Sequence, residues 1–231
     1  MGRAQKPVAV FDVDGTIFRS SLLIELVEAL VAEELLPKDV EKYYKKAHTK
    51  WKNREGGYAE YIDAMVEAFY AHIKGIHYAD FARVAEDIVA RQGKHTYKYT
   101  RDLIKKLRKQ GYFLLAVSHS PKTILDQFCP NLGFDKTYGM VYEIGPEDRL
   151  TGEVVDKHLI LNKAYIVKRA VEKEKLTFDN SIGVGDTESD ISFLELVDTA
   201  ICFNPNANLY RHAKINGWNV VVERKDVIYE F

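Results

Sequence analysis

Segments typical of buried β-strands alternate with helical segments along most of this chain. The strand segments are short runs of β-branched and aromatic residues, and turn-forming residues follow them. Strands that alternate with helices imply a parallel sheet with right-handed crossovers. The predicted strands of this sheet are Val8–Phe11, Tyr112–Val117, Ser181–Val184, Thr199–Phe203 and Trp218–Val222. The sequence therefore predicts the α/β class.

The alternation is interrupted once, between Phe18 and Gln92, where only helical periodicity occurs. Because this block follows the first strand, we predict an inserted helical domain, residues 18–92, over the carboxyl end of that strand. The core would comprise residues 1–17 and 93–231. Four helices are predicted in the insertion: from a cap at Ser20 or Ser21 to about Leu36, then over Asp39–Arg54, Tyr58–Lys74 and Tyr78–Arg91. Elsewhere we predict helices over Thr100–Gln110, Pro121–Cys129, Leu161–Lys175, Ser189–Leu196 and Leu209–Asn216, and a β-hairpin from Tyr138–Ile144 and Leu150–Asp156.

Composition excludes several classes of function. The net charge of −1 gives no general reason to expect nucleic acid or an anionic membrane as partner. The two cysteines, Cys129 and Cys202, are far apart, which argues against a zinc site and for a reducing compartment. The apolar stretch within Met1–Phe11 is too short for a signal peptide or a membrane span. We therefore expect a cytoplasmic protein; its oligomeric state is not indicated.

One local exception to this charge balance is residues 41–54, which carry six Lys or Arg against one acid. Such a segment is consistent with an anion-guiding lip or a nucleic-acid patch. A solvated helix face is the favoured interpretation.

Two acidic pairs follow predicted strands. Asp12 and Asp14 come after the first strand, and Asp186 and Asp190 follow the strand Ser181–Val184. Ligand sites of open α/β sheets collect at the carboxyl ends of the strands, so the two pairs should face one crevice. Crowded carboxylates repel one another unless a hard cation joins them, and oxygen ligands suit Mg²⁺. Each pair alone is compatible with an acidic turn or a favourable helix start; together they predict a magnesium site.

Two further residues could supply the positive charge and donors that a phosphate requires. Lys163 lies on the helix before the second acidic pair and could reach the same crevice. Ser118 ends a strand next to a helix N-terminus, an arrangement that binds anions. A solvated lysine and an ordinary helix cap are the alternative interpretations of these two residues.

These motifs occur in an order that resembles the haloacid dehalogenase (HAD) superfamily of phosphatases. The motifs are DVDGT from Asp12, Ser118, Lys163 and GDTESD from Gly185. The helical insertion, the Leu150-Thr151-Gly152-Glu153 stretch and Asn204-Pro205 resemble the subclass that contains phosphoserine phosphatase. This resemblance covers nearly the whole chain. It implies a Rossmann-like parallel core with an inserted α-helical C1 cap and a β-hairpin.

The resemblance also implies roles for the motif residues. Asp12 would be the nucleophile that becomes an aspartyl-phosphate. Asp14 would protonate the leaving alcohol and then activate water, and its backbone carbonyl would ligate Mg²⁺. Asp186 would be the second side-chain ligand of the metal, with Asp190 supporting a metal-bound water or Lys163.

The remaining site residues would contact the substrate. Ser118 and Lys163 would hold the phosphoryl oxygens, Thr16 would steady the first loop, and Ser189 lies within the second acidic motif. Arg19 would meet an anionic group of the substrate or, alternatively, a cap carboxylate. His119 would contact the substrate or, equally well, cap the next helix.

The sequence departs from phosphoserine phosphatases at two places. Those enzymes have a Glu where this chain has Ser21, and two glycines where it has His119 and Ser120. The departures argue against phosphoserine as the substrate. We predict a Mg²⁺-dependent phosphomonoesterase for a small metabolite such as an amino-alcohol, sugar or glycerol-type phosphate. The alternatives are a phosphotransferase or mutase on the same scaffold and a receiver-like binding module.

Overall fold

A single eight-stranded sheet forms the core of the protein. The computed structural model describes residues 5–231, so residues 1–4 of the predicted core segment lie outside the described residues. The strand order is β4-β3-β2-β1-β5-β6-β7-β8, with six parallel inner strands and an antiparallel strand at each edge. The strands are β1 (Pro7–Phe11), β2 (Phe113–Pro121), β3 (Lys136–Ile144), β4 (Leu150–Val155), β5 (Thr177–Gly185), β6 (Thr199–Phe203), β7 (Asn219–Arg224) and β8 (Val227–Glu230). The predicted α/β class and the hairpin, β3–β4, are confirmed.

Helices connect these strands, and four of them lie between β1 and β2 before the connecting helix α5. The helices are α1 (Leu22–Ala32), α2 (Glu41–Lys52), α3 (Tyr58–His72), α4 (Tyr78–Gln92), α5 (Lys98–Lys109), α6 (Lys122–Leu132), α7 (Lys157–Ile160), α8 (Lys163–Lys173), α9 (Ile191–Leu194) and α10 (Ala207–Asn216). One-turn 3₁₀ helices occur at Lys38–Val40, Pro146–Asp148 and Glu188–Asp190. In the described part of the chain, no helix has the length and apolar character needed to cross a bilayer.

The strand register brings the predicted site together. Strand β1 lies at the centre of the sheet between β2 and β5, and Phe11 is level with Ala116 and Val184. Parallel strands have their carboxyl ends at the same edge of the sheet. The segments after Phe11, Ala116 and Val184 therefore leave this edge side by side.

The first helix differs from its predicted boundaries for local reasons. Ser21 caps α1, and its side chain accepts a hydrogen bond from Leu23 N, as expected for a serine before a helix. The helix ends before Leu36 because Glu34 adopts a left-handed φ of 59°, and the amides of Leu35 and Leu36 both bond to Leu30 O.

The helical block is joined to the core at two separate places. The entering and leaving chains pair with each other, with Arg19 N donating to His95 O at 2.9 Å. The turn between α3 and α4 is bound to the start of β4, where Gly75 N donates to Leu150 O at 2.8 Å. Arg149 Nη1 also donates to Gly75 O at 2.7 Å. Helix α4 of the block also packs against α6 of the core.

Other elements also differ from the sequence prediction. The helix predicted from Leu161 begins at Lys163, because Asn162 caps it by accepting from Tyr165 N. Strand β8 was not predicted; it pairs with β7 through a tight turn in which Lys225 has a φ of 56°. An edge strand exposes one side to water, so its apolar pattern is short and weak.

Candidate active site

Lys163 lies at the centre of the site and joins two buried carboxylates. Its Nζ is 2.6 Å from Asp12 Oδ1 and 2.6 Å from Asp190 Oδ1. Asp12 follows β1, Asp190 lies after β5, and Lys163 is the first residue of α8. Burial alone would lower the pKa of Lys163, but the two carboxylates raise it above the usual lysine value. Lys163 is therefore a fixed positive charge at the carboxyl edge of the sheet.

Asp190 uses both of its oxygens within the protein. Oδ1 accepts from Lys163, and Oδ2 accepts from the backbone amides of Asp186 and Thr187 at 3.0 and 3.1 Å. Its side chain is fully buried. This arrangement fits the predicted support of Lys163, and it leaves Asp190 less suited than Asp12 or Asp186 to ligate a metal directly.

Asp12 is a buried carboxylate in a crowded anionic environment. Burial raises the pKa of Asp12 from 3.8 to about 7; Lys163 opposes this rise, and the charges of Asp190 and Asp14 add to it. Its backbone amide donates to Val184 O at 2.9 Å, which fixes the turn after β1 against β5. Among the described residues, Lys163 is the only lysine that contacts the Asp12 side chain.

Asp186 completes a cluster of three carboxylates. Oxygens of Asp12, Asp186 and Asp190 lie within 4.8 Å of one another. Burial, followed by the charges of Asp12 and Asp190, raises the pKa of Asp186 well above its usual value. Thr16 Oγ1 donates to Asp186 Oδ1 at 3.3 Å, so Thr16 lies beside this carboxylate, as expected for a residue that steadies the first loop. Lys163 balances only part of the negative charge, which suits the cluster to a cation.

Gly15 makes the close approach of Asp186 possible. It has a left-handed φ of +77°, and a Cβ at this position would lie 2.1 Å from Asp186 Oδ2. A side chain there would have to displace the carboxylate. The glycine of the first motif is therefore required by both backbone conformation and space.

The side chain of Asp14 lies apart from the three-carboxylate cluster. Its Oδ1 accepts from Leu22 N, the first residue of α1, at 2.6 Å. Its Oδ2 accepts from Ser118 Oγ at 2.6 Å and from Ser120 Oγ at 2.8 Å. The two aspartates of the first motif consequently have different partners, and the side chain of Asp14 is not part of the acidic cluster.

Neither His119 nor Ser189 has a hydrogen bond to the acidic cluster among the described residues. Burial, with the charge of Lys163 adding to the effect, lowers the pKa of His119 to about 4. Its Nε2 is buried without a hydrogen-bond partner among the described residues. Ser189 is exposed and pairs with Thr187, with their hydroxyls 2.8 Å apart. Substrate contact by His119 and Ser189 therefore stays a prediction.

Aromatic residues border the site on the side of the inserted helices. Arg19 is exposed, and its guanidinium lies 5.7 Å from the centre of the Tyr97 ring. Burial raises the pKa of Tyr97, and Asp186 adds to the shift. Burial raises the pKa of Tyr58 as well, with contributions from Asp14 and Asp186, so both phenols lie within the field of the acidic residues.

The sequence did not single out Tyr58, Tyr97 or Ser120 as site residues. Tyr58 is the first residue of α3, after Gly57. The helical spacing of Tyr58, Ile62 and Met65 indicated that Tyr58 belongs to the core of the helical bundle, so nothing in the sequence indicated that it lies near the site. Only the departure from glycine at Ser120 was a signal in the sequence.

Residues 9–195 match the model of the haloacid dehalogenase-like hydrolases, and the chain belongs to this family. The match includes Asp12, Ser118, Lys163 and Asp190 within its range. It confirms the predicted resemblance and the prediction of an enzyme of the hydrolase class.

The individual relatives of the chain include phosphatases with different named substrates. The chain is 28% identical over 202 residues to a phosphoserine phosphatase of Archaeoglobus fulgidus, covering 87% of this chain and 53% of that protein. The chain thus spans about half the length of this relative. It is 23% identical over 232 residues to a histidinol-phosphatase of Neisseria meningitidis, with 94% and 98% covered.

The fold is also that of a solved phosphoserine phosphatase described as a phospho-aspartyl intermediate analogue. The TM-score is 0.62 at 18% identity, and 96% of each chain is covered. At this identity the likeness establishes the fold only.

Proposed function

We propose that this protein is a Mg²⁺-dependent phosphatase that hydrolyses small phosphate monoesters through an aspartyl-phosphate on Asp12. One observation carries the proposal: buried Lys163 bridges Asp12 and Asp190 at 2.6 Å each, with Asp186 in the same cluster at the carboxyl edge of the sheet. A charged, buried lysine that touches a carboxylate nucleophile also provides a contact for a phosphoryl oxygen.

The acidic cluster fits a magnesium ion. Its three carboxylates are buried or half-buried and are opposed by one lysine, and an oxygen-only donor set suits a hard divalent cation. Asp12, Asp186 and the backbone carbonyl of Asp14 would hold it, since both oxygens of Asp190 already have partners. Bound Mg²⁺ would neutralise charge on the phosphoryl group.

The residues of this chain then divide the reaction between them. Asp12 attacks phosphorus, the bond to the leaving oxygen breaks, and the phosphoryl group is held by Lys163 and Ser118. Asp14 gives a proton to the leaving alcohol and later takes one from the water that hydrolyses the aspartyl-phosphate. The different partners of Asp12 and Asp14 support this division of roles.

We further propose that residues 18–92 form a cap that closes over Asp12. The bond from Leu22 N to Asp14 links its first helix to the site, and the Tyr58 phenol of α3 lies within the electrostatic influence of Asp14 and Asp186. The tie between Gly75 and Leu150 anchors the opposite end of the cap. A cap so placed would exclude bulk water during the reaction.

The alcohol half of the substrate is proposed to differ from serine. Ser21 stands where phosphoserine phosphatases have a glutamate, and its buried hydroxyl is used in capping α1. It therefore offers no negative charge to an ammonium group. Arg19, exposed at the edge of the site beside Tyr97, favours a substrate with a second anionic group or an aromatic ring.

The reaction is proposed to take place in the cytoplasm on a freely diffusing metabolite. The free, buried thiols of Cys129 and Cys202 support a reducing compartment. The balanced net charge supports neither nucleic acid nor an anionic membrane as a partner.

The test is release of phosphate from p-nitrophenyl phosphate with Mg²⁺, followed by a panel of phosphorylated metabolites. The proposal expects turnover by the wild-type protein and none by Asp12→Asn. Equal turnover by both proteins would contradict it. Added acceptor alcohols separate hydrolysis from phosphoryl transfer: a new phosphate ester among the products would make the protein a phosphotransferase.

A further inference from the structure

Ser120 is a buried hydroxyl that the motif roles leave unassigned. It lies near the end of β2, is 3% exposed, and occupies a position where phosphoserine phosphatases have a glycine. Its Oγ donates to Asp14 Oδ2 at 2.8 Å, and its backbone amide donates to Ser118 Oγ at 2.9 Å. Ser120 therefore touches both the proposed acid–base residue and the proposed phosphate-binding serine.

The hydroxyl of Ser118 cannot serve two acceptors at once. A serine hydroxyl has one proton to donate, and here Ser118 directs it to Asp14 Oδ2 at 2.6 Å. In the proposed reaction a phosphoryl oxygen has to accept the hydrogen bond from this same hydroxyl. When Ser118 turns to the substrate, Asp14 Oδ2 keeps Ser120 as its only hydroxyl donor among the described residues.

We propose that Ser120 is a positioning residue that holds the Asp14 carboxyl group while Ser118 binds the phosphoryl group. This inference rests on the proposed phosphatase function. During the first step the proton moves from the Asp14 carboxyl group to the leaving oxygen, and Ser120 keeps its own proton throughout. The remaining contact, from Leu22 N to Asp14 Oδ1, fixes the other oxygen, so two donors define the plane of the carboxyl group.

The role predicts a dependence on the leaving group. An alkyl phosphate requires a proton on its leaving oxygen, whereas p-nitrophenolate leaves readily without one. The value of kcat/KM reports the steps up to departure of the alcohol. Comparison of kcat/KM for the two esters therefore shows whether proton donation to the leaving oxygen is impaired. Because the Asp14 carboxyl group gains negative charge as its proton leaves, loss of the hydrogen bond from Ser120 should slow this step by about 10-fold.

The experiment compares Ser120→Ala with wild-type protein on p-nitrophenyl phosphate and on an alkyl phosphate that the wild type hydrolyses. We expect kcat/KM for the alkyl ester to fall by about 10-fold and that for p-nitrophenyl phosphate by less than about twofold. In an Asp14→Asn background, Ser120→Ala should cause no further loss on the alkyl ester.

Ser181→Ala is the matched control. Ser181 is also a buried serine on a strand, and its Oγ accepts from Asp198 N at 3.0 Å, four residues before the end of β5. Its substitution should change both esters equally. The same equal change from Ser120→Ala, or no change, would overturn the inference.

Two further outcomes are decisive. If Ser120→Ala does not fold, Ser120→Gly removes the same hydroxyl; failure of both to fold would make Ser120 a structural residue and overturn the positioning role. Release of no phosphate by the wild type from any ester would refute the phosphatase function itself. If the wild type releases phosphate and Ser120→Ala lowers kcat/KM equally for both esters, only the role of Ser120 is refuted.

Discussion

Replacing Asp12 by asparagine should abolish turnover and stabilise the metal-free protein at neutral pH. An amide cannot attack phosphorus as a carboxylate does. The stabilising effect follows from the folded protein, in which burial raises the pKa of Asp12 from 3.8 to about 7. At about 1.36 kcal/mol per pH unit, the difference between those pKa values corresponds to about 4 kcal/mol of destabilisation by the ionised group.

The sign of this effect determines its pH dependence. The folded state binds the Asp12 proton more tightly than the unfolded state does, so ionisation of Asp12 lowers the free energy of unfolding as pH rises from about 4 to about 7. Asparagine does not titrate. Its advantage should therefore be near zero at about pH 4, grow through this window and approach about 4 kcal/mol at about pH 8.

The assay is urea unfolding in excess chelator at several pH values, followed by circular dichroism. Asp63→Asn serves as the control, because Asp63 is an exposed residue of α3 and its substitution changes the net charge by the same amount. A stabilisation that does not vary with pH, or a destabilised Asp12→Asn, would refute the electrostatic reasoning. Retention of more than a few per cent of wild-type phosphate release would refute the role of Asp12 as nucleophile.

Three further predictions concern the metal, the first loop and the substrate. Activity should require Mg²⁺ and be inhibited by Ca²⁺, because Ca²⁺ accepts both oxygens of Asp12 at longer distances; full phosphate release in excess chelator would contradict this. Gly15→Ala should remove activity and lower the free energy of unfolding by about 1–3 kcal/mol. In contrast, Gly111→Ala should keep the activity, because Gly111 has a φ of +83° but nothing within 4 Å of a Cβ at this position. If Gly15→Ala and Gly111→Ala release phosphate at equal rates, the contact with Asp186 does not explain the need for glycine at position 15. Arg19→Ala should change relative kcat/KM among natural phosphate esters more than it changes hydrolysis of p-nitrophenyl phosphate, and equal losses would make Arg19 structural.

The order of elements could be predicted because it depends on local properties of the chain. Thr199–Phe203 is a strand with the predicted bounds, since its apolar β-branched and aromatic pattern is unambiguous. The helix boundaries were less accurate at α1 and α8, where single residues, Glu34 and Asn162, end or cap a helix. Such ends depend on individual hydrogen bonds rather than on periodicity.

The candidate site was predictable in its residues but less so in its contacts. The sequence placed Asp12, Asp14 and Asp186 at strand ends, because parallel strands share a carboxyl edge. It left open whether Lys163 reaches them, since a lysine on a helix is usually exposed. The helix that carries it packs so that Lys163 is 3% exposed and contacts two carboxylates.

By itself, the sequence determined the α/β class, the run of helices after the first strand and the acidic motifs, because periodicity and motif spacing are properties of neighbouring residues. Tertiary structure alone decided that Asp190 supports Lys163, that Asp14 turns to Ser118 and Ser120, and that the helices are tied to Leu150. These contacts join residues far apart in the chain. They depend on strand register, on side-chain rotamers and on competition among donors for the same oxygen, none of which a local pattern encodes.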